Sequence, residues 1–208
     1  KQQVAEIIAQ ANKLNNEMGT LKTLVEEQSN VHQQSKYINE DPQVQNIYND
    51  SIQKGREILN STTDDVLNNN KIADAIQNIH LTKNDLHGVQ KLEQAQQQSI
   101  NTINQMTGLN QAQKEQLNQE IQQTQTRSEV HQVINKAQAL NDSMNTLRQS
   151  ITDENEVKQT SNYINETVGN QTAYNNAVDR VKQIINQTSN PTMNPLEVER
   201  ATSNVKSS

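Results

Sequence analysis

Histidine occurs at positions 32, 80, 87 and 131. Imidazole binds metals and moves protons near neutral pH, but two ring ligands on one helix need a spacing close to one turn, as at i and i+4. His80 and His87 are seven residues apart. On a helix they share a face, yet they lie about 10 Å apart along its axis. His32 and His131 stand opposite Lys158 and Ala5 when the chain is laid over itself in the register described below. All four histidines are expected to be solvent-exposed and without function. Adjacent acids occur at Glu26-Glu27 and Asp64-Asp65, opposite Thr152-Asp153 and Asn190-Pro191. Paired carboxylates do acid–base work only where burial drives their pKa values apart. These sit in polar sequence near helix ends, so a solvated or capping role is expected. No Ser or Thr stands in a nucleophile elbow, and the five glycines are too sparse for a phosphate loop. Cysteine is absent, which excludes disulfides and thiolate metal ligation without fixing a compartment. No catalytic, cofactor-binding or metal site is expected, and the chain reads as non-enzymatic.

Tyrosine is more informative. Tyr37 and Tyr48 recur as Tyr163 and Tyr174, and tyrosine is a favoured anchor at protein interfaces. Both positions lie beside apolar stripe residues. The rings are therefore expected to pack between helices and to send their hydroxyls to water or backbone groups.

These matches belong to an internal repeat. Leu14-Asn15-Asn16-Glu17-Met18-Gly19-Thr20-Leu21 returns as Leu140-Asn141-Asp142-Ser143-Met144-Asn145-Thr146-Leu147, and Tyr37-Ile38-Asn39-Glu40 as Tyr163-Ile164-Asn165-Glu166. The offset of 126 holds without a gap, and segments 1–80 and 127–206 share about 24 identities. A repeat of this kind implies a modular array suited to reach or to many weak contacts. The chain opens Lys1-Gln2-Gln3-Val4 and is expected to be a piece of a longer protein.

Only 31% of the 208 residues are hydrophobic, and all four aromatics are Tyr. That composition suits thin helical bundles rather than one large core. Low hydrophobicity also favours disorder, but the apolar residues are periodic. Asn and Gln number 30 each and together outnumber the charged residues. The run Gln94-Ala95-Gln96-Gln97-Gln98 reads as a solvated helix face rather than a prion-like tract, because Ile100 and Ile103 continue the apolar spacing. The net charge is −6 with no basic block, which disfavours nucleic acid as a partner. No apolar run approaches membrane-span length.

Val4, Ile7, Ile8, Ala11, Leu14, Met18, Leu21 and Val25 predict a helix over 3–28, and Val130, Val133, Ile134, Ala137, Leu140, Met144, Leu147 and Ile151 restate its stripe. Thr126 or Ser128 caps that second copy. A connection or short helix follows over 31–40, and Asp41-Pro42 starts the next helix with Asp as N-cap. That helix carries Val44, Tyr48, Ile52, Ile58 and Leu59. Its copy starts at Thr167-Val168-Gly169, a weaker signal. A third helix starts near Asn70, as Asn194-Pro195 in the copy supports. It is expected to run as one long helix to Met106, about 55 Å, with a bend near His87-Gly88 and Gly108 ending it as a C′ residue. Asn110 caps a helix over 111–123 with Leu117 and Ile121 inward.

The residues Leu14-Asn15, Met18, Leu21, Tyr37-Ile38-Asn39, Tyr48-Asn49 and Ile58-Leu59-Asn60 resemble FIVAR modules. Ile103-Asn104-Gln105-Met106-Thr107-Gly108-Leu109-Asn110 with Ala112-Gln113-Lys114 resembles a GA-like module. Together, across essentially the whole chain, they resemble the repeat array of the giant staphylococcal extracellular matrix-binding proteins, the Ebh/Embp group. The resemblance implies an all-α fold of tandem three-helix bundles that share long continuous helices and form an elongated rod. The units are 1–85 (FIVAR type, its first residues ending a preceding GA-like helix), 86–136 (GA-like) and 137–208 (second FIVAR type). It implies a monomeric spacer on a bacterial cell surface, part of a larger protein anchored elsewhere in membrane or cell wall. Such a spacer has weak, multivalent binding to matrix proteins such as fibronectin, carried by exposed amide-rich faces rather than a pocket. The alternatives are a purely structural stalk supporting the cell envelope, with cell-wall contact, and serum albumin binding by the GA-like unit. Albumin-binding modules place aromatic residues just after the turn glycine. Here that stretch reads Asn110-Gln111-Ala112-Gln113, so the apolar anchor for albumin is missing.

Overall fold

A computed structural model describes residues 1–61 and 69–208. Among them the chain is all-α, with twelve helices and no strand. It divides into two compact units, Lys1–Gln94 and Ala95–Ser208.

In the first unit, α1 (Gln2–Glu26), α4 (Pro42–Asn60) and α5 (Asn69–Asn84) pack on one another as a three-helix bundle. The short helices α2 (Gln28–His32) and α3 (Ser35–Ile38) close one end. Leu21, Leu24, Val25, Val31, Tyr48, Ile52, Ile72, Ile79 and Leu86 form its core. Gly55 lets the helices approach closely, since a Cβ there would stand 3.1 Å from both Ile79 and Leu21. The stripe expected on α1 is buried only in its second half. Val4, Ile7 and Ile8 are 59%, 64% and 55% exposed. The reason is length. α1 spans about 37 Å, whereas its partners α4 and α5 span about 28 and 24 Å, so its first turns extend beyond them.

The expected single helix from 70 to 106 is interrupted. α5 ends at Asn84 and α6 (Gly88–Gln105) begins after three intervening residues. Leu86 joins the same core cluster as Ile72 and Ile79, and the break before α6 frees the His87 N–H, which donates to Glu40. Gly88 then presses onto the 35–40 segment. A Cβ on it would lie 2.5 Å from the Lys36 carbonyl oxygen and 2.8 Å from the Glu40 nitrogen.

In the second unit, α7 (Gln111–Gln123) packs on α8 (Arg127–Gln149), and α8 also packs on α11 (Val168–Ile185) and α12 (Pro195–Ser207). One unbroken helix thus serves two helix groups, with Val130 and Ala137 buried on its first half and Leu140, Met144 and Leu147 on its second. The short α9 (Glu154–Val157) and α10 (Ser161–Ile164) repeat α2 and α3. Thr126 caps α8 and Asn110 caps α7, each in a reciprocal box with the third helical residue, Glu129 and Gln113. Thr167 and Asn194 cap α11 and α12. Asp41 stands at the N-cap position of α4 but does not cap it; its carboxylate binds Lys91 instead.

Gly108 is not a left-handed C′ residue: no glycine has a positive φ, and α6 already ends at Gln105. Its small size is what the fold uses. A Cβ would sit 2.4 Å from the Asn141 carbonyl oxygen of α8. The Gly108 N–H donates to Asn141 Oδ1 at 2.9 Å, and Arg148 Nε donates to the Gly108 carbonyl at 3.0 Å.

Candidate functional site

The repeated tyrosines form one compact arrangement, built twice. In the first unit Tyr37 of α3 meets Tyr48 of α4 edge to face, with ring centroids 6.2 Å apart at 68°. Gln45 Nε2 donates to the Tyr37 carbonyl at 2.6 Å, and Asn49 Nδ2 donates to the Tyr37 hydroxyl at 2.8 Å. In the second unit Tyr163 and Tyr174 lie 5.8 Å apart at 68°. Gln171 reaches the Tyr163 carbonyl at 2.8 Å and Asn175 its hydroxyl at 3.0 Å. Tyr48 and Tyr174 are buried, and burial pushes the Tyr48 hydroxyl up to about 12 and the Tyr174 hydroxyl upward as well. Tyr37 and Tyr163 are half-buried. The rings pack between helices as expected, but the outer hydroxyls bind side-chain amides rather than water or backbone, and the Tyr48 hydroxyl has no hydrogen-bond partner among the described residues. Sequence reasoning missed the roles of Gln45 and Asn49. The available signal was their identity with Gln171 and Asn175 at the repeat offset.

His32 also departs from expectation. It is half-buried, stacks on Tyr37 at 4.2 Å, and lies 2.8 Å from Asn49 Oδ1. Gln28 joins it, bonded to Asn49 and to Arg56. At the equivalent positions the second unit has Glu154, Lys158 and Lys182, a charged trio with both Lys–Glu distances at 2.6 Å. Hydrogen bonds from Lys158 and then Lys182 hold the Glu154 carboxyl below its usual range. His80, His87 and His131 are exposed. Glu26 and Glu27 do not act as a dyad: Glu26 faces Lys22 at 3.8 Å, and Glu27 faces Lys83 at 2.6 Å. Asp64-Asp65 lies outside the described residues.

Glu40 is the most constrained acid of the first unit, with its side chain 1% exposed. It accepts the His87 N–H at 2.5 Å and the Asp41 N–H at 2.8 Å, and lies 2.5 Å from Lys91 Nζ. Burial raises its pKa, but Lys91 and the two N–H groups together outweigh that, and the net shift is downward. The acid thus receives the start of α6, where a helix presents unpaired N–H groups and partial positive charge. Its counterpart Glu166 is exposed and bonds only locally, Oε1 accepting from the Thr167 N–H at 3.0 Å and from Asn170 Nδ2 at 2.9 Å. Beside Glu166 lies a cleft of about 450 Å³, bordered by Val157, Tyr163, Tyr174, Val205 and Ser208. The sequence suggested no concave site, so this cleft is a correction.

The amides are not only a solvated coat. Gln113 is fully buried and donates to the Thr192 carbonyl at 2.7 Å, and Asn110 donates to the Ile184 carbonyl at 3.1 Å. Gln96, within the glutamine-rich run, donates to the Ile121 and Thr124 carbonyls at the end of α7. Its neighbours Gln97 and Gln98 are exposed, as a helix face requires.

The model of the FIVAR domain family matches residues 17–87 and 143–208, and that of the GA module matches 89–143. The chain is 41% identical over 202 residues to extracellular matrix-binding protein EbhA of Staphylococcus aureus strain N315, covering 97% of this chain and 3% of that protein. It is equally similar to extracellular matrix-binding protein ebh of strain NCTC 8325, of which it spans 2%. The chain therefore corresponds to a very small part of these relatives. The crystal structure of an EbhA domain, residues 756–1003 in that protein, superposes with a TM-score of 0.82 over 91% of this chain and 75% of that one, at 24% identity, and shares its fold. A structure described for Embp-mediated adherence of Staphylococcus epidermidis to fibronectin is 33% identical, with a TM-score of 0.55, covering 57% of this chain and 94% of that one.

Proposed function

The chain belongs to the FIVAR domain family, and from that premise we propose that it is a non-enzymatic repeat segment of a bacterial cell-surface adhesin. Its modules, 1–85, 86–136 and 137–208, act as a spacer that adds a weak contact to extracellular matrix, multiplied by repetition in a longer protein. The observation that carries the reading is the pair of FIVAR matches flanking a GA match. The names of its relatives add matrix binding, and fibronectin enters from the description of the Staphylococcus epidermidis structure. The repeated tyrosines agree with a scaffold role, because in both copies the inner ring is buried and the outer hydroxyl is held by an amide. Glu27, Glu40 and Glu154 each bind lysine, which makes them poor general bases.

Surface plasmon resonance of the chain and of a longer array against fibronectin, at low and high salt, tests this. The single chain should bind at ~10⁻⁵ M or weaker, since amides exchange water for protein partners at little net gain. Salt should matter little without a charge block, and the array should bind more tightly through avidity. Nanomolar binding by the chain, or loss at moderate salt, would reveal a discrete hot spot. Absence of binding by both would leave a structural stalk.

A further inference from the structure

The outer surface of the first bundle carries stripes that its core does not use. Ile47, Ser51, Lys54 and Ile58 follow one another on α4 at steps of four, three and four. Lys71, Asp74, Asn78 and Leu81 do so on α5 at three, four and three, so each set shares one helix face. Between the two faces runs a groove of about 370 Å³, bordered by Ser51, Lys54, Ile58, Lys71, Ala75 and Asn78. Its floor is low: Ser51 Oγ and Thr82 Oγ1 bond to each other at 2.8 Å, and Ala75 ends at Cβ. Towards its other end Ile47 and Leu81 are each 55% exposed. The groove is built again between α11 and α12. There the border of a space of about 550 Å³ includes Ala173, Ala177, Arg180, Asn204 and Ser207, the counterparts of Ile47, Ser51, Lys54, Asn78 and Leu81. Charge around it is rearranged with one exception. Lys71 and Asp74 become Glu197 and Arg200, each reversing sign, whereas Lys54 becomes Arg180 and Asn78 remains Asn204. Lys54, Arg180 and the side-chain amides of Asn78 and Asn204 have no ion pair or hydrogen bond among the described residues.

We propose that the α4–α5 groove is an interaction surface for an amphipathic helix of a partner protein, one that carries aliphatic side chains along its inner face and a carboxylate near its centre. The geometry favours a helix over an extended peptide. α4 and α5 satisfy their own backbone groups and offer no sheet edge to an added strand, whereas a furrow between two helices receives the ridge of a third. From Ile47 to Ile58 the furrow runs about 16 Å, or three turns. Aliphatic side chains one turn apart meet Ile47 and Leu81 at one end and Ile58 at the other, and the small residues Ser51 and Ala75 let the helix approach between them. The charge of the groove sets the sign of the partner. The chain as a whole carries −6, yet Lys54, Lys71 and Asp74 leave one net positive charge here, as Arg180, Glu197 and Arg200 do in the second copy. A central carboxylate pairs with Lys54 and accepts from the Asn78 amide. Ala173 and Ser207 stand where the first copy has Ile47 and Leu81, so the first groove is the stronger site. One cation per groove also keeps the salt dependence mild. The inference goes beyond matrix adhesion, since it names a face and a partner chemistry, and it stands whether or not fibronectin supplies the helix.

The test titrates the full, nitrogen-15-labelled chain with a capped helical peptide of about four turns, bearing leucines one turn apart and a central glutamate, and with its twin in which lysine replaces that glutamate. Amide shifts should fall on 47–58 and 71–82, with smaller ones on 173–184 and 197–207. The glutamate peptide should bind about fivefold more tightly than the lysine twin, as an exposed ion pair against an exposed like-charge pair implies. Lys54→Glu should reverse that order in the first groove, a swap that a loss of folding cannot produce. Ile47→Ser with Leu81→Ser should weaken both peptides there. Absence of shifts, shifts centred elsewhere, or equal affinity for the two peptides in both the parent chain and Lys54→Glu would overturn the proposal. Concentration-dependent shifts over 47–58 without peptide would also overturn it, making a second copy of this chain the occupant. Fibronectin binding by a longer array is measured apart, and its absence would refute the matrix contact while leaving the peptide result to decide the groove.

Discussion

Gly19 and Gly88 both belong to helices of the first unit, and substitution by alanine should move stability in opposite directions. A Cβ on Gly19 meets nothing within 4 Å. Alanine there recovers the backbone entropy that glycine loses in a helix interior, about 0.8–1 kcal/mol. A Cβ on Gly88 would lie 2.5 Å, 2.6 Å and 2.8 Å from three backbone atoms of Lys36, Ser35 and Glu40. Ordinary contact needs roughly 3.4 Å or more, and backbone cannot turn aside as a side-chain tip can. Either α6 lifts by about 0.7 Å, stretching the His87–Glu40 bond and withdrawing Leu86, or the 35–40 segment yields. Overpacking of this kind costs about 1–3 kcal/mol, and in the first helical turn little propensity offsets it. At about 4–8 °C per kcal/mol for a unit of this size, Gly19→Ala should raise the first unit's melting temperature by roughly 3–8 °C. Gly88→Ala should lower it by roughly 4–24 °C. Thermal unfolding by circular dichroism, with hydrogen exchange to assign transitions to units, measures both. A neutral or stabilising Gly88→Ala would refute the close approach at the α5–α6 break.

Glu40→Gln should destabilise the first unit by about 1–2 kcal/mol in urea titrations, because a neutral amide meets Lys91 and the His87 N–H less strongly, whereas Glu166→Gln should leave the present chain unchanged. Tyr48→Phe should be neutral or slightly stabilising, since it removes a buried hydroxyl without a partner, while Tyr163→Phe should cost about 1 kcal/mol through the lost Asn175 bond; equal losses would contradict the assigned hydrogen bonds. The folded-state pKa of Glu154 is depressed, so its contribution is present above the unfolded carboxylate value of about 4.3 and is lost as pH falls through the lower folded value. Glu154→Gln should therefore flatten the acid limb of the second unit's stability curve, as read by urea midpoints from pH 6 to 2.5.

Much of the fold was legible because helix periodicity and caps are local. The stripe Leu140, Met144, Leu147, the Asn110 cap and the Asn194-Pro195 start each depend on residues within a turn or two. The misreadings share a non-local cause. Nothing between Asn70 and Met106 forbids a continuous helix; the break goes with a distant contact, since Glu40, 47 residues earlier, receives the His87 N–H. Gly108 looks like a helix terminator by position, whereas its need for a missing Cβ comes from Asn141 on another helix. Val4, Ile7 and Ile8 satisfy the periodic pattern and remain exposed, because period reports which residues share a face and not whether a neighbour is long enough to cover it. The cleft beside Glu166 is illegible for the same reason: it is bordered by residues of α9, α10, α11 and α12 that only the fold brings together.

The two copies also show how such a repeat drifts without losing its frame. Gly55 is replaced by a fully buried Val181, while Leu24 becomes Ser150 and Ile79 becomes Val205. Volume gained on one helix is given back on the other two, as close packing demands. Likewise Gln28, His32 and Arg56, which wire Asn49 into the first unit, become Glu154, Lys158 and Lys182, one acid bound by two lysines. Exchanging one member alone would strand a charge or open a void, so these positions change as sets. The residues that do not change, Tyr37, Glu40, Gln45, Tyr48 and Asn49 with their partners at the offset, hold the turn between α3 and α4, which in the first unit is also where the next helix is received. Invariance within this chain therefore concentrates at the turn between α3 and α4 and at its copy between α10 and α11.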